Sequence, residues 1–326
     1  MHRPRTSPIR RVIRTAWMLP CLAMSSAWAE PSEPAPATQP GLLEAHVEPN
    51  TPTVSPPAYD SLYFPLGDPA TESHPWAVHD AKRPQPPVVT PPTPSLQQRP
   101  GRPPSDAVVL FDGTSPDADL SAFLPTIDRE GQPTPGWIIR DGYLEVRPRG
   151  GSLVTRKKFG DVQLHAEWMV PGEYRERFSQ KRGNSGIFFM GRYEVQVLDS
   201  LGSPTYPDGM AAAVYGQNPP LANAGLGLDR WQTYDIIFRR PVFAEDGSLV
   251  RPATLTVFHN GVLVQDHWHL EGRTLYKRRA SYTPHGNEAP IRFQDHGNRV
   301  RYRNLWVRPL SPRPVSATDP AHSEQR

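Results

Sequence analysis

Of the 326 residues, 41 are proline, more than twice the usual share of ~5%. Twenty of these fall between residues 31 and 104, a density that excludes regular helix or sheet there. The formal charge of +3 comes from residues 1–29, which hold five Arg and no acid. The remaining residues carry 31 Lys and Arg against 33 Asp and Glu, which argues against a nucleic-acid-seeking surface. The one cysteine, Cys21, lies in the same basic segment. A chain cleaved after Ala29 therefore excludes disulfides, zinc–thiolate sites and Cys nucleophiles.

Residues 1–29 read as an export signal. Arg3, Arg5, Arg10, Arg11 and Arg14 form a positive region, an apolar run follows from Ala16 to Ala27, and Ala27-Trp28-Ala29 makes a small-x-small cleavage site. Pro20 before Cys21 argues against lipidation, and Arg14 sits where a twin-arginine signal needs an apolar residue. The run is too short to span a bilayer. The expected location is periplasmic or secreted.

Residues 30–105 read as a Pro-rich, disordered linker, with strings such as Pro91-Pro92-Thr93-Pro94 that favour extended polyproline conformations. One island differs: Tyr59, Tyr63, Phe64 and Trp76 lie close together. They are either scattered aromatics or an element that docks on the folded domain or a partner. Residues 311–326 read as a polar tail.

The folded part, 106–310, reads as all-β. β-Branched and aromatic runs recur between turn signals. Val108–Phe111 stops at Asp112-Gly113. Trp137–Ile139 meets Tyr143–Val146 across Asp141-Gly142, and Thr254–Phe258 meets Val262–Val264 across Asn260-Gly261. Both are tight-hairpin signals. Further strands are expected at 151–156, 161–170, 185–190, 192–198, 231–239, 290–295 and 300–308, with no helical stripe. The pattern predicts a β-sandwich or jelly roll.

Alternation separates faces. Val162, Leu164, Ala166 and Trp168 share one side of their strand and Gln163, His165 and Glu167 the other. Tyr193, Val195 and Val197 alternate with Glu194 and Gln196, and Ile291 and Phe293 with Arg292, Gln294 and His296. A face rich in Gln, Glu and His suits hydrogen bonding to a polyol, so the three polar faces are expected to line one concavity. A plain solvated outer face is the alternative.

The strings Gly183-Asn184-Ser185-Gly186-Ile187-Phe188-Phe189-Met190 and Arg192-Tyr193-Glu194-Val195-Gln196-Val197-Leu198-Asp199-Ser200 resemble the signature of the 3-keto-disaccharide hydrolase domain family. Leu110–Thr114, Ala166-Glu167-Trp168, Val214-Tyr215-Gly216, Trp231–Asp235, Asn260-Gly261-Val262, Gln294-Asp295-His296-Gly297 and Arg303–Leu310 follow in family order. The resemblance spans about 106–310. It departs at Leu228-Asp229-Arg230, where a Pro-Gly-Glu-Trp-type turn is expected. It implies a concanavalin-like jelly roll acting on 3-keto-glycosides.

A ketone at C3 acidifies the C2 hydrogen, so a base can remove it and expel the C1 substituent. Hydration of the resulting enone then completes a net hydrolysis. Such a site needs a base, a group for the enolate oxygen and an acid for the leaving oxygen, whereas an ordinary glycosidase needs two opposed carboxylates. The catalytic candidates are Glu194, His296, Asp295, Glu167 and Asp199, with Asp295 either orienting His296 or capping its turn. Asn184, Gln196, Tyr215, Gln294 and His165 are candidate substrate contacts. A divalent cation held among the carboxylates could serve as electrophile, though no ligand spacing demonstrates one. His267 and His269 make an i, i+2 pair with no third ligand near in sequence. The expected ligand is a glycoside or oxidised sugar. The competing readings are a noncatalytic carbohydrate-binding module and a surface scaffold working through its Pro-rich arm.

Overall fold

The computed structural model describes residues 66–88, 97–115, 118–128 and 130–313. The export signal, the aromatics Tyr59, Tyr63 and Phe64, and most of the polar tail lie outside the described residues. Fourteen strands follow in order: β1 (Val108–Phe111), β2 (Ile138–Arg140), β3 (Tyr143–Glu145), β4 (Leu153–Phe159), β5 (Val162–Met169), β6 (Ser185–Phe189), β7 (Tyr193–Val197), β8 (Gln232–Arg239), β9 (Val242–Phe243), β10 (Leu249–Arg251), β11 (Thr254–His259), β12 (Val262–His269), β13 (Ala289–Phe293) and β14 (Arg301–Pro309). The described residues contain no α-helix, only short 3-10 turns such as Ser179–Lys181 and Pro207–Gly209. The short β9–β10 ribbon carries no alternation, and its sequence gave no strand signal.

Two antiparallel sheets stack as a sandwich. The larger runs β12-β11-β8-β5-β14-β3-β2, with β1 also paired to β14, and the smaller runs β4-β13-β6-β7. Both expected hairpins form. Asp141 and Gly142 sit at φ 46° and 77°, and Asn260 and Gly261 at φ 51° and 80°. Positive φ at both central residues matches the right-handed twist of the flanking strands.

The inward faces are those the alternation assigns. Val162, Leu164, Ala166 and Trp168 of β5 meet Tyr193, Val195 and Val197 of β7 in one core. Phe189 stacks on Phe238 at 4.9 Å between centroids. The buried hydroxyls find partners across the gap: Tyr234 donates to the Gln196 carbonyl at 2.8 Å, and Tyr302 to Ser185 Oγ at 2.7 Å. Removing a ring of this kind costs about 3–5 kcal/mol.

Parts of the 30–105 segment are seated on the folded domain rather than running free as a linker. Val78 and His79 are completely buried. Asp68 N–H donates to the Lys277 carbonyl at 2.8 Å, and Arg279 N–H to Asp68 Oδ2 at 2.6 Å. Asn223 N–H donates to the Pro87 carbonyl. Further along, Gln97 brackets the Trp231 backbone with two hydrogen bonds of 2.8 and 2.9 Å. Proline removes donors but leaves carbonyls and a stiff extended path, so a few anchoring side chains suffice to seat such a strap.

Candidate active site

Because Tyr193 and Val195 point into the core, Glu194 and Gln196 stand on the outer face of the smaller sheet. Register completes the surface. Phe188 pairs with both Glu194 and Arg292, and Gly186 pairs with Gln196. Gln294 N–H donates to the Gly186 carbonyl at 2.9 Å. Two cross-strand rows result, Arg292–Phe188–Glu194 and Gln294–Gly186–Gln196. Gly186 leaves room here for the carboxyl group, because a Cβ would run into Glu194 Oε1. The Arg292 guanidinium lies 3.8 Å over the Phe188 ring, which holds the cation on the face by a cation–π contact.

A loop closes one side. Gln180, on the 3-10 turn before β6, accepts at Oε1 from Gln196 Nε2 and from Asn184 Nδ2, each at 3.0 Å. These bonds fix the amide orientations. Three polar atoms on this face remain buried without a partner: Gln196 Oε1, Gln294 Oε1 and Arg292 Nε. An unmet buried polar atom costs about 1–3 kcal/mol, and two acceptors beside one donor complement the vicinal hydroxyls of a sugar.

Glu194 is 5% exposed, and burial pushes its carboxyl up to about 8 against the opposing pull of Arg292. No side chain among the described residues hydrogen-bonds to that carboxyl group. Its strand is pinned instead, with Glu194 N–H donating to Thr274 Oγ1 at 3.0 Å. Tyr215 N–H donates to the Glu194 carbonyl at 3.3 Å. The Tyr215 phenol shares a hydrogen bond of 2.9 Å with Tyr206. Burial raises its pKa, keeping it a neutral donor.

The sequence candidates divide. Glu194, Gln196, Asn184, Gln294 and Tyr215 gather here, and Arg292 and Gln180 join them. Arg292 shares parity with Gln294, a signal available in the alternation. Gln180 lies in a loop and carried none. His296 is exposed at the end of β13. Asp295 accepts from Gly151 N–H at 3.2 Å and Gly297 N–H at 2.8 Å, so its carboxylate caps the turn rather than holding His296.

Glu167, His165 and Asp199 do not join the site. β5 belongs to the larger sheet, and Glu167 and His165 are on its outer face, a sandwich thickness of roughly 10 Å or more from Glu194. The expectation of a single concavity shared by all three strands is therefore corrected. Glu167 is fully engaged, accepting from Arg303 Nε at 2.7 Å, Asn304 Nδ2 at 2.9 Å and Gly101 N–H at 3.0 Å. His165 stacks on Trp306. Burial opposes its charge, but Asp235 at 2.7 Å and Glu167 outweigh it and raise the ring to about 9. Asp199 is buried against Arg182 Nε at 2.7 Å. Arg182 in turn donates to the carbonyls of Arg175 and Arg177, so the pair ties down the loop before β6. No group of three or more His, Cys, Asp or Glu among the described residues is placed to hold a metal ion.

The family model for the 3-keto-alpha-glucoside-1,2-lyase-like domain matches residues 106–308. The chain belongs to this family. A solved protein from Parabacteroides distasonis, described as a "putative glycosyl hydrolase", is 42% identical. Their alignment covers 70% of this chain and 93% of that one, with a TM-score of 0.59. A second protein from the same organism with the same description is 16% identical, covering 63% and 94%, at a TM-score of 0.44. No curated protein matches. The family match begins at Asp106, so the docked strap at 66–88 lies outside the matched residues.

Proposed function

We propose that the chain cleaves the glycosidic bond of 3-keto-glycosides, with Glu194 as the acid–base group. One observation carries the reading: a buried carboxyl raised to about 8, without a hydrogen-bond partner among the described residues, set beside a guanidinium and unpaired amide oxygens. A base near neutrality removes a C2 proton better than an ordinary carboxylate does. The C2–H pair forms the enolate, whose oxygen Arg292 stabilises. Collapse of the enolate breaks the C1–O bond. The leaving oxygen takes a proton, which we assign to His296, exposed just beyond β13. The products are an alcohol and a 2-hydroxy enone, and water added across that double bond gives the free 3-keto sugar. In the cross-strand rows Glu194 stands in line with Arg292 rather than with a second carboxylate, whereas double-displacement glycosidases use a pair. The chain's place in the 1,2-lyase-like family agrees with elimination.

Incubation of the protein with a 3-keto-disaccharide tests this. Release of free sugar with transient enone absorbance is expected, and Glu194→Gln should abolish both. Tight binding of the disaccharide with no turnover by the wild type would favour a carbohydrate-binding module instead. We also propose export to the periplasm or medium, supported by the segment before Ala29. Detection of a mature N-terminus at Glu30 in that fraction tests it.

A further inference from the structure

The strap builds a second cleft. Residues 73–83 stand against β12 and the segment after it, enclosing a cavity of about 410 Å³ lined by His74, Trp76, Arg83, Trp268, Glu271 and Arg279 among others. The wall is anchored: Val78 and His79 are fully buried. Arg83 donates to the Gln217 carbonyl, Arg279 donates to the Trp76 carbonyl, and His74 Nε2 meets Glu271 Oε1 at 3.1 Å across the gap.

The geometry points to a second saccharide-binding site here, made by the strap and absent from the family domain alone. Two half-buried indoles line the cavity, an apolar lining suited to the C–H side of a pyranose, and the carboxylate, imidazole and guanidinium groups suit its hydroxyls. The Trp268 indole N–H and the Arg279 Nε are buried donors without an acceptor, and sugar hydroxyls supply acceptors. An anion fits less well. Both guanidinium groups already donate to backbone carbonyls, and Glu271 would repel it. The volume is of the size that holds a small ligand. The anchoring His79 does reach the other site, stacking on Tyr206 at 4.2 Å and lying edge-on to Tyr215 at 5.2 Å, but none of the named lining residues is assigned a part in catalysis, so this inference is tested separately from the catalytic reading.

Binding is read on the full chain by saturation-transfer NMR and tryptophan fluorescence, with trehalose, sucrose, cellobiose and sophorose as probes. At least one disaccharide should bind the wild type and Glu194→Gln equally. Its affinity should fall tenfold or more in Trp76→Ala and in Glu271→Gln, neither of which removes a core side chain. Failure of all four probes to bind the wild type overturns the proposal. So does binding that survives both cleft substitutions, or binding lost only in Glu194→Gln.

Discussion

Glu194→Gln carries a signature in stability that needs no substrate. The carboxyl is raised from 4.5 to about 8 by burial, so the folded state holds a proton that the unfolded chain releases. Between these values the native state binds more protons, and stability falls as pH rises. The penalty is absent below 4.5 and fully present above 8. At 1.36 kcal/mol per pKa unit, the ceiling is ~5 kcal/mol. Relaxation around the ion and the nearby Arg292 reduce this to about 2–4 kcal/mol. For a domain near 200 residues, that corresponds to roughly 5–12 °C in Tm. Glutamine cannot ionise and nearly preserves the shape. Thermal unfolding of both proteins from pH 4 to pH 9 should give matching Tm values at the acid end and an advantage for the variant that widens from about pH 4.5 and levels off above pH 8. A constant difference across this range, or a variant that loses ground at pH 9, refutes the raised carboxyl and with it the poised base.

On activity, kcat/KM of the wild type should climb with pH along an apparent pKa near 8, because the deprotonated form of Glu194 does the work; a profile falling through that value reverses its role to acid. Gly186→Ala should fold, since the new methyl meets side chains only, the flexible end of Glu194 and the Phe188 ring edge at 3.1 Å, and should lower turnover by about 10²-fold by displacing the carboxylate. His296→Ala should cost turnover about 10²-fold or more with Tm unchanged, because the ring is exposed; normal turnover removes it from the mechanism. Arg182→Ala should cost about 3–5 kcal/mol by stranding the buried Asp199, measured by denaturant unfolding. Limited trypsin digestion should cut the Lys82–Arg83 bond only slowly, because the strap around it is docked; early cleavage there contradicts the docking.

Strand content was legible in the sequence because the alternation is clean. In β5, β7 and β13 every second residue is apolar, and a one-residue slip would turn a whole strand inside out, so parity alone identified the outward groups. Turn chemistry fixed the hairpins at Asp141-Gly142 and Asn260-Gly261. Which outward faces share a surface is a different kind of information. It depends on sheet order, and β5 lies between β8 and β14 in the larger sheet while β7 and β13 flank β6 in the smaller. Nothing local in Gln163–Glu167 distinguishes it from Glu194–Gln196.

Electrostatic environment separates these two faces. Glu167 and Glu194 are both buried glutamates on outward strand positions. Glu167 is matched by a guanidinium, an amide and a backbone N–H, all within 3.0 Å, and so works as a fixed anion seating the chain at Gly101. Among the described residues, Glu194 has the opposing charge of Arg292 and no hydrogen bond to its carboxyl group. Complete pairing stabilises a structure, whereas incomplete pairing leaves a group whose protonation can change during a reaction. The partners that decide the matter, Arg303, Asn304, Gly101 and Arg292, lie far along the chain from the carboxylates they serve. A raised carboxyl therefore cannot be read from its own strand, even when the strand is placed correctly.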